Sequence, residues 1–199
     1  MNMPINVYDN FFTKEEHNFI SDYCSKASYF YGEGDSGLGE PFNPNYCTGL
    51  VHEVYYFTED TPLLDESRLI GGDPTKVINQ KKMFDLFSSS IETRFPQYKS
   101  KDITRMYINC FAALEKSYFH TDGDVGTTFL YYPNETWDLD DGGETKFFID
   151  GGFYGIPPIP NRLISFDASI EHTATPFRNR HRFSIAIKYG IYFYHEDCK

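Results

Sequence analysis

Several things are scarce in this chain. Its four cysteines, at positions 24, 47, 110 and 198, include no CxxC pair. That is too sparse for a secreted disulfide scaffold and points to reduced thiols in a cytoplasm. No stretch approaches the ~20 apolar residues of a membrane span, and the N-terminus MNMPINVYDNFFTKEEH has no basic segment followed by an apolar one. A soluble, intracellular, cytoplasmic protein with no membrane partner is expected. Basic residues are outnumbered, with 18 Lys and Arg against 29 Asp and Glu and a net charge of -11. Such a surface repels a phosphate backbone and argues against nucleic acid as a partner. The one dense basic run, RNRHR from Arg178 to Arg182, is too short for a polynucleotide track. The glycine-rich segment from Tyr31 to Pro44 carries neither a GxGxxG nor a Walker pattern and reads as a loop able to cover a site. There is no internal repeat. The N-E-T sequon at Asn134 has meaning only in a secreted protein and is set aside.

Aromatic residues, by contrast, are abundant: 19 Phe and 16 Tyr bring the aromatic share to 18% and the hydrophobic share to 40%. A chain of 199 residues with that content buries a real core, fits one domain and favours sheet. Ile5 to Tyr8 reads as a strand, and Thr13-Lys-Glu-Glu16 as a capping box opening a helix to about Cys24, with Phe19, Ile20 and Tyr23 as its apolar positions. His52 to Phe57 reads as a strand and Thr61 to Pro74 as a connection. A second helix is predicted from Lys76 to about Phe95, with Ile78, Met83, Phe84, Phe87 and Ile91 on one face. Two helices thus precede the sheet. After Lys101, TRMYINCF, TTFLYY, TKFFID, RLISFD and RFSIAIKYGIYFY alternate with DGD, DDGG, DGG and IPPIPN, the texture of a sandwich, barrel or jelly roll.

The chemistry-bearing pair lies in YFHTDGD, where His120 and Asp122 stand two residues apart and would share one face of a strand. Alone, an HxD is half a metal site or nothing. His172, just past the strand-like RLISFD, supplies a third ligand. Two histidines and one carboxylate on one side of a metal leave the opposite positions open, the arrangement that suits non-heme Fe(II).

HTD, then His172, then Arg182 ten residues later resembles the Fe(II)/2-oxoglutarate-dependent dioxygenases, and most of all their prolyl 4-hydroxylase-like branch. The stretches LYYPNETWDLDDGGETKFF and IPPIPNRLISFD extend the resemblance, which covers roughly 104–189. It implies a mainly β protein with flanking helices (α+β), a double-stranded β-helix (jelly-roll) core at about 101–195 and N-terminal helical support at about 1–100, the whole of 1–199 forming a single domain. It also implies His120, Asp122 and His172 as metal ligands and Arg182 as the cation for the distal carboxylate of 2-oxoglutarate. Ser184, Tyr132 and Thr128 would line the same cosubstrate pocket, with Tyr107 and Asn109 near it. Fe(II), 2-oxoglutarate and O2 would be required, with ascorbate as a candidate reductant. The implied reaction hydroxylates an unactivated C–H bond, foremost of prolyl residues in a peptide or protein, yielding succinate and CO2. A nucleobase or small-metabolite oxygenase and a non-catalytic jelly-roll binding module are the alternatives. Lys188 departs from the branch by standing where a tryptophan often closes the pocket; it is expected to pair with an acid, reach a substrate carboxylate, or point outward through a bulge.

Other residues read blandly. His17, His52, His181 and His195 are expected to be packed or superficial, and Glu171 to be solvated. Gly142 and Gly143 suggest close backbone approach, and Trp137 with Asp138, Asp140 and Asp141 suggests a solvated turn.

Overall fold

Side chains of the last strand alternate between two destinations, and that alternation organises the molecule. The computed structural model describes residues 4–34, 48–56, 74–113, 115 and 117–192. Its strands are β1 (Ile5–Tyr8), β2 (Phe30–Gly34), β3 (Thr48–Tyr56), β4 (Ile103–Phe111), β5 (Val125–Tyr132), β6 (Thr145–Ile149), β7 (Gly152–Ile156), β8 (Arg162–Asp167), β9 (His172–Ala174) and β10 (Arg182–Tyr192). Helix α1 (Lys14–Lys26) follows β1, and α2 (Pro74–Arg94) precedes β4. Seven strands form one antiparallel sheet in the order β1-β8-β5-β10-β4-β3-β2, and three form a second, β7-β6-β9. Ile185, Ile187 and Tyr189 of β10 enter a core shared with α1 and α2. Ala186, between them, joins Leu130, Tyr132, Ile164 and Phe166 of the large sheet and Phe147 and Ile156 of the small one. Two facing sheets with helices outside the larger one make the expected jelly roll.

Local chemistry explains the helices. The Thr13 hydroxyl accepts from the Glu16 N–H (3.3 Å), and the Glu16 carboxylate accepts from the Thr13 N–H (2.8 Å), closing the capping box. Met83, Phe87 and Ile91 recur every four residues and are fully buried. The Lys82 ammonium lies 3.9 Å from the Phe19 ring centre, linking the helices.

The order "two helices, then sheet" is corrected: β1, β2 and β3 all belong to the large sheet, with β3 pairing β4 directly. Residues 31–34 of the expected loop form the end of β2; the rest of that segment and most of the Thr61 to Pro74 connection lie outside the described residues, as does His195. Ile78 is exposed, because the buried stripe of α2 begins at Met83. Strands β7 and β9 were not anticipated; Phe153 and Tyr154 of β7 face outward, so its pattern lacks the usual inward-facing alternation. Cys24 and Cys110 are free and buried. No described helix is long and apolar enough to cross a membrane.

His17 and His52 are held by the core rather than by a ligand. His52 bonds Tyr23 and the Ser28 carbonyl. His17 Nδ1 lies 2.7 Å from the Tyr131 hydroxyl, while its Nε2 is buried without a partner. Burial pushes the His17 pKa down, so the neutral ring is the stable buried form. Stability from His17 is therefore present above its unfolded pKa of about 6.5 and is lost as pH falls toward the lower folded value. Melting temperatures of wild type and His17→Gln, compared from pH 7.5 to 5, should converge as the pH drops. Parallel curves would remove His17 from that role.

Candidate metal centre and cosubstrate pocket

Three chain segments bring His120, Asp122 and His172 together. His120 forms an isolated bridge with His172, each backbone N–H donating to the other's carbonyl (3.0 and 2.9 Å). Asp122 lies in a bend whose N–H donates to the Ala168 carbonyl at 2.8 Å. The HTD segment is thus not a strand presenting an i, i+2 pair. Backbone pairing with the chain following β8 brings the ligands together instead. Ligand atoms of His120, Asp122 and His172 lie within 4.8 Å of one another.

Both imidazoles are set up to coordinate through Nε2. His120 Nδ1 lies 3.1 Å from the Tyr118 carbonyl and His172 Nδ1 2.9 Å from the Ile170 carbonyl, so each Nδ1 carries the proton and each Nε2 presents its lone pair. Those Nε2 atoms stand 3.8 and 3.6 Å from the Asp122 carboxylate oxygens. Phe147 and Phe166 flank the His172 ring. Burial, helped by His120 and Lys188 and opposed by Asp122, lowers the His172 pKa to about 4, leaving it neutral at physiological pH. Two imidazole nitrogens and one carboxylate are a donor set that fits an Fe(II) ion.

Lys188 is ion-paired with Asp122, the first of the arrangements the sequence left open. Its ammonium also donates to the Thr128 hydroxyl (3.2 Å), which in turn donates to Asp122 Oδ2 at 2.5 Å. Burial would raise the Asp122 carboxyl, but Lys188, His172 and His120 outweigh it and hold the group well below the ordinary carboxylate range. Burial would likewise lower Lys188, and Asp122 reverses that. Both groups are therefore charged. Thr128, expected in the cosubstrate pocket by alternation along its strand, touches the Asp122 carboxylate.

At the other end of the same face of β10, Arg182 is fully buried. Its Nε donates to the Gly143 carbonyl (2.8 Å), Nη2 to the Thr145 hydroxyl (3.0 Å) and Nη1 to the Ser184 hydroxyl (3.3 Å). No carboxylate pairs with it among the described residues. The Tyr132 hydroxyl also donates to Thr145 Oγ1, at 2.8 Å. With both lone pairs used, Thr145 keeps its own proton for a ligand. Gly143 is required here: its φ is +84°, and a Cβ would meet the Phe177 ring at 2.3 Å. A guanidinium, a tyrosine and two hydroxyls cluster here, a carboxylate-recognition set.

Sequence reasoning missed Thr145 and Asn134. Thr145 was legible as the inward partner of Phe147 in TKFFI. Asn134 had no periodic signal: its buried amide donates to the His181 carbonyl (3.1 Å) and accepts from the Phe183 N–H (2.9 Å), gripping the backbone on both sides of Arg182. Asn134→Ala should weaken 2-oxoglutarate binding by about tenfold while leaving Fe(II) affinity unchanged, measured by separate titrations. An equal loss of both would mean a general packing role. Tyr107 packs against the inner core, its ring centre 5.7 Å from the Lys188 ammonium and 4.1 Å from the Arg105 guanidinium carbon. Asn109 is in register with Ser184. His181 and Glu171 are exposed. Trp137 donates to the Gly142 carbonyl at 2.8 Å, and Asp141 pairs with Arg180 at 2.6 Å, fixing the acidic turn.

Residues 103–189 match the family model of the 2OG-Fe(II) oxygenase superfamily. Comparison with curated proteins gives no match. Among solved structures, the chain is similar to a prolyl 4-hydroxylase from Pseudomonas putida, at 14% identity and a TM-score of 0.62 over 94% of this chain and 93% of that one. It is similar to a 2OG-Fe(II) oxygenase family oxidoreductase from Burkholderia pseudomallei, at 13% identity and 0.66 over 94% and 86%. A prolyl hydroxylase from Trichoplax adhaerens, solved with a hypoxia inducible factor peptide fragment, is similar at 19% identity and 0.62 over 94% and 84%. At these identities the structural likeness establishes the shared fold.

Proposed function

We propose that this chain, whose residues 103–189 match the family model of the 2OG-Fe(II) oxygenase superfamily, is an oxygenase of that kind and hydroxylates a C–H bond of a prolyl residue in a peptide or protein. The observation that carries the oxygenase reading is the pairing, on one inner face, of a His-His-Asp triad with a fully buried arginine that has no acidic partner among the described residues. His120, Asp122 and His172 hold Fe(II). Arg182, Ser184, Tyr132 and Thr145 receive the distal carboxylate of 2-oxoglutarate. The bound pair supplies the oxidising chemistry, consuming O2 and releasing succinate and CO2 as the substrate carbon is hydroxylated. The protein orients and shields: backbone carbonyls fix both imidazole tautomers, Thr128 and Lys188 steady Asp122, and Phe147 and Phe166 keep water from His172.

The prolyl substrate is supported by the likeness of fold to the Pseudomonas putida and Trichoplax adhaerens enzymes. It is tested by incubating the protein with Fe(II), 2-oxoglutarate, ascorbate and a panel of prolyl peptides, and reading hydroxyproline by mass spectrometry alongside succinate. Succinate rising with a peptide that gains one oxygen on proline supports the reading. Oxygen found on another residue would overturn the prolyl assignment while keeping the class.

A further inference from the structure

We propose that Lys188 is a substrate-binding group that selects a substrate carrying a carboxylate close to the carbon to be hydroxylated. The inference rests on the oxygenase reading of the site. Among the described residues, three formally charged side chains other than histidine are buried: Asp122, Arg182 and Lys188. All three belong to this pocket. One carboxylate against two fixed cations leaves the pocket with a single positive excess. A divalent metal and dianionic 2-oxoglutarate cancel each other, so loading the site does not remove that excess. Without Lys188 the loaded pocket would be balanced.

Buried charge of one sign is costly until an opposite charge meets it. In the metal-free protein Asp122 satisfies Lys188 directly. Once Asp122 is also a metal ligand, its negative charge is shared with a divalent ion, and the ammonium keeps only part of its partner. Around it also stand the Thr128 hydroxyl and the Tyr107 side chain, which hydrogen-bonds the ammonium and whose ring centre lies 5.7 Å from it, and neither is a carboxylate. Arg105, opposite Lys188 in register, is already paired with Glu53 and adds no net charge. Arg182 stands six residues away along β10, about 20 Å by strand rise, so one small carboxylate bound at Arg182 does not also serve Lys188. A buried ammonium beside the triad therefore calls for an anion delivered by the substrate. For a prolyl substrate that anion is its own carboxylate or a neighbouring acidic side chain.

The test uses the full chain loaded anaerobically with Fe(II) and saturating 2-oxoglutarate. Acetate is titrated against its neutral counterpart acetamide, and binding is read from the shift of the keto-acid charge-transfer band. Wild type should bind acetate on the order of tenfold or more tighter than acetamide. Lys188→Met and Lys188→Gln, each loaded to saturation of its own band, should lose that preference; failure of both variants to form a band would show that Lys188 serves Asp122 alone and would overturn the inference. Acetate binding that is as strong in both variants as in wild type would mark an adventitious additive only and overturn the inference, as would equal affinity for the two probes in wild type. Absence of the band from folded wild-type protein would overturn the oxygenase reading itself, and the inference with it.

Discussion

Arg182→Ala is expected to raise the 2-oxoglutarate concentration for half-saturation by about 100-fold or more while Fe(II) binding stays within about threefold. The guanidinium is fully buried and, among the described residues, its three hydrogen bonds go to a backbone carbonyl and two hydroxyls, none of them from His120, Asp122 or His172. Losing one side of a buried charge pair costs about 2–5 kcal/mol, and every 1.4 kcal/mol is about tenfold in affinity. Arg182→Lys should recover only part of the loss, since an ammonium keeps the charge but not the fork geometry. Separate titrations of metal and cosubstrate measure both. An unchanged 2-oxoglutarate requirement in Arg182→Ala would show that the cosubstrate binds elsewhere.

Asp122→Ala should eliminate Fe(II) binding and also destabilise the protein by about 3–5 kcal/mol, because it strands the Lys188 ammonium in a buried site. The double variant Asp122→Ala/Lys188→Met removes both charges and should regain most of that stability without regaining the metal. The two effects separate cleanly: urea denaturation reports the ion pair, and metal titration reports the ligand. A single variant as stable as wild type would mean that the Asp122–Lys188 pair is not buried in solution.

A sandwich, barrel or jelly roll was legible because the strands are short and aromatic, with turns between them; the choice of jelly roll among these came from the resemblance carried by HTD, His172 and Arg182. The capping box at Thr13 was equally readable, since it depends on four consecutive residues. What stayed hidden was long-range. Nothing in the spacing of His52 or Ile5 announces that β3 pairs residues 49–60 positions later and β1 residues 155–161 positions later. The ligand residues were found by type and order, yet the reason they meet is the backbone bridge between His120 and His172, which a period-2 argument does not contain. Thr145 and Asn134 escaped for the same reason: their partners, Arg182 and its flanking peptides, are 37 or more residues away. Lys188 was noticed as a departure, but its pairing with Asp122 required the fold.

The most direct test of the site is anaerobic visible absorption of the metal-free protein titrated with Fe(II) and then 2-oxoglutarate. A metal-to-ligand charge-transfer band should appear on the second addition and be lost in His172→Ala. A well-folded wild-type protein that binds Fe(II) and 2-oxoglutarate without developing the band, or a His172→Ala variant that retains it, would contradict the assignment of His120, Asp122 and His172 as the iron centre.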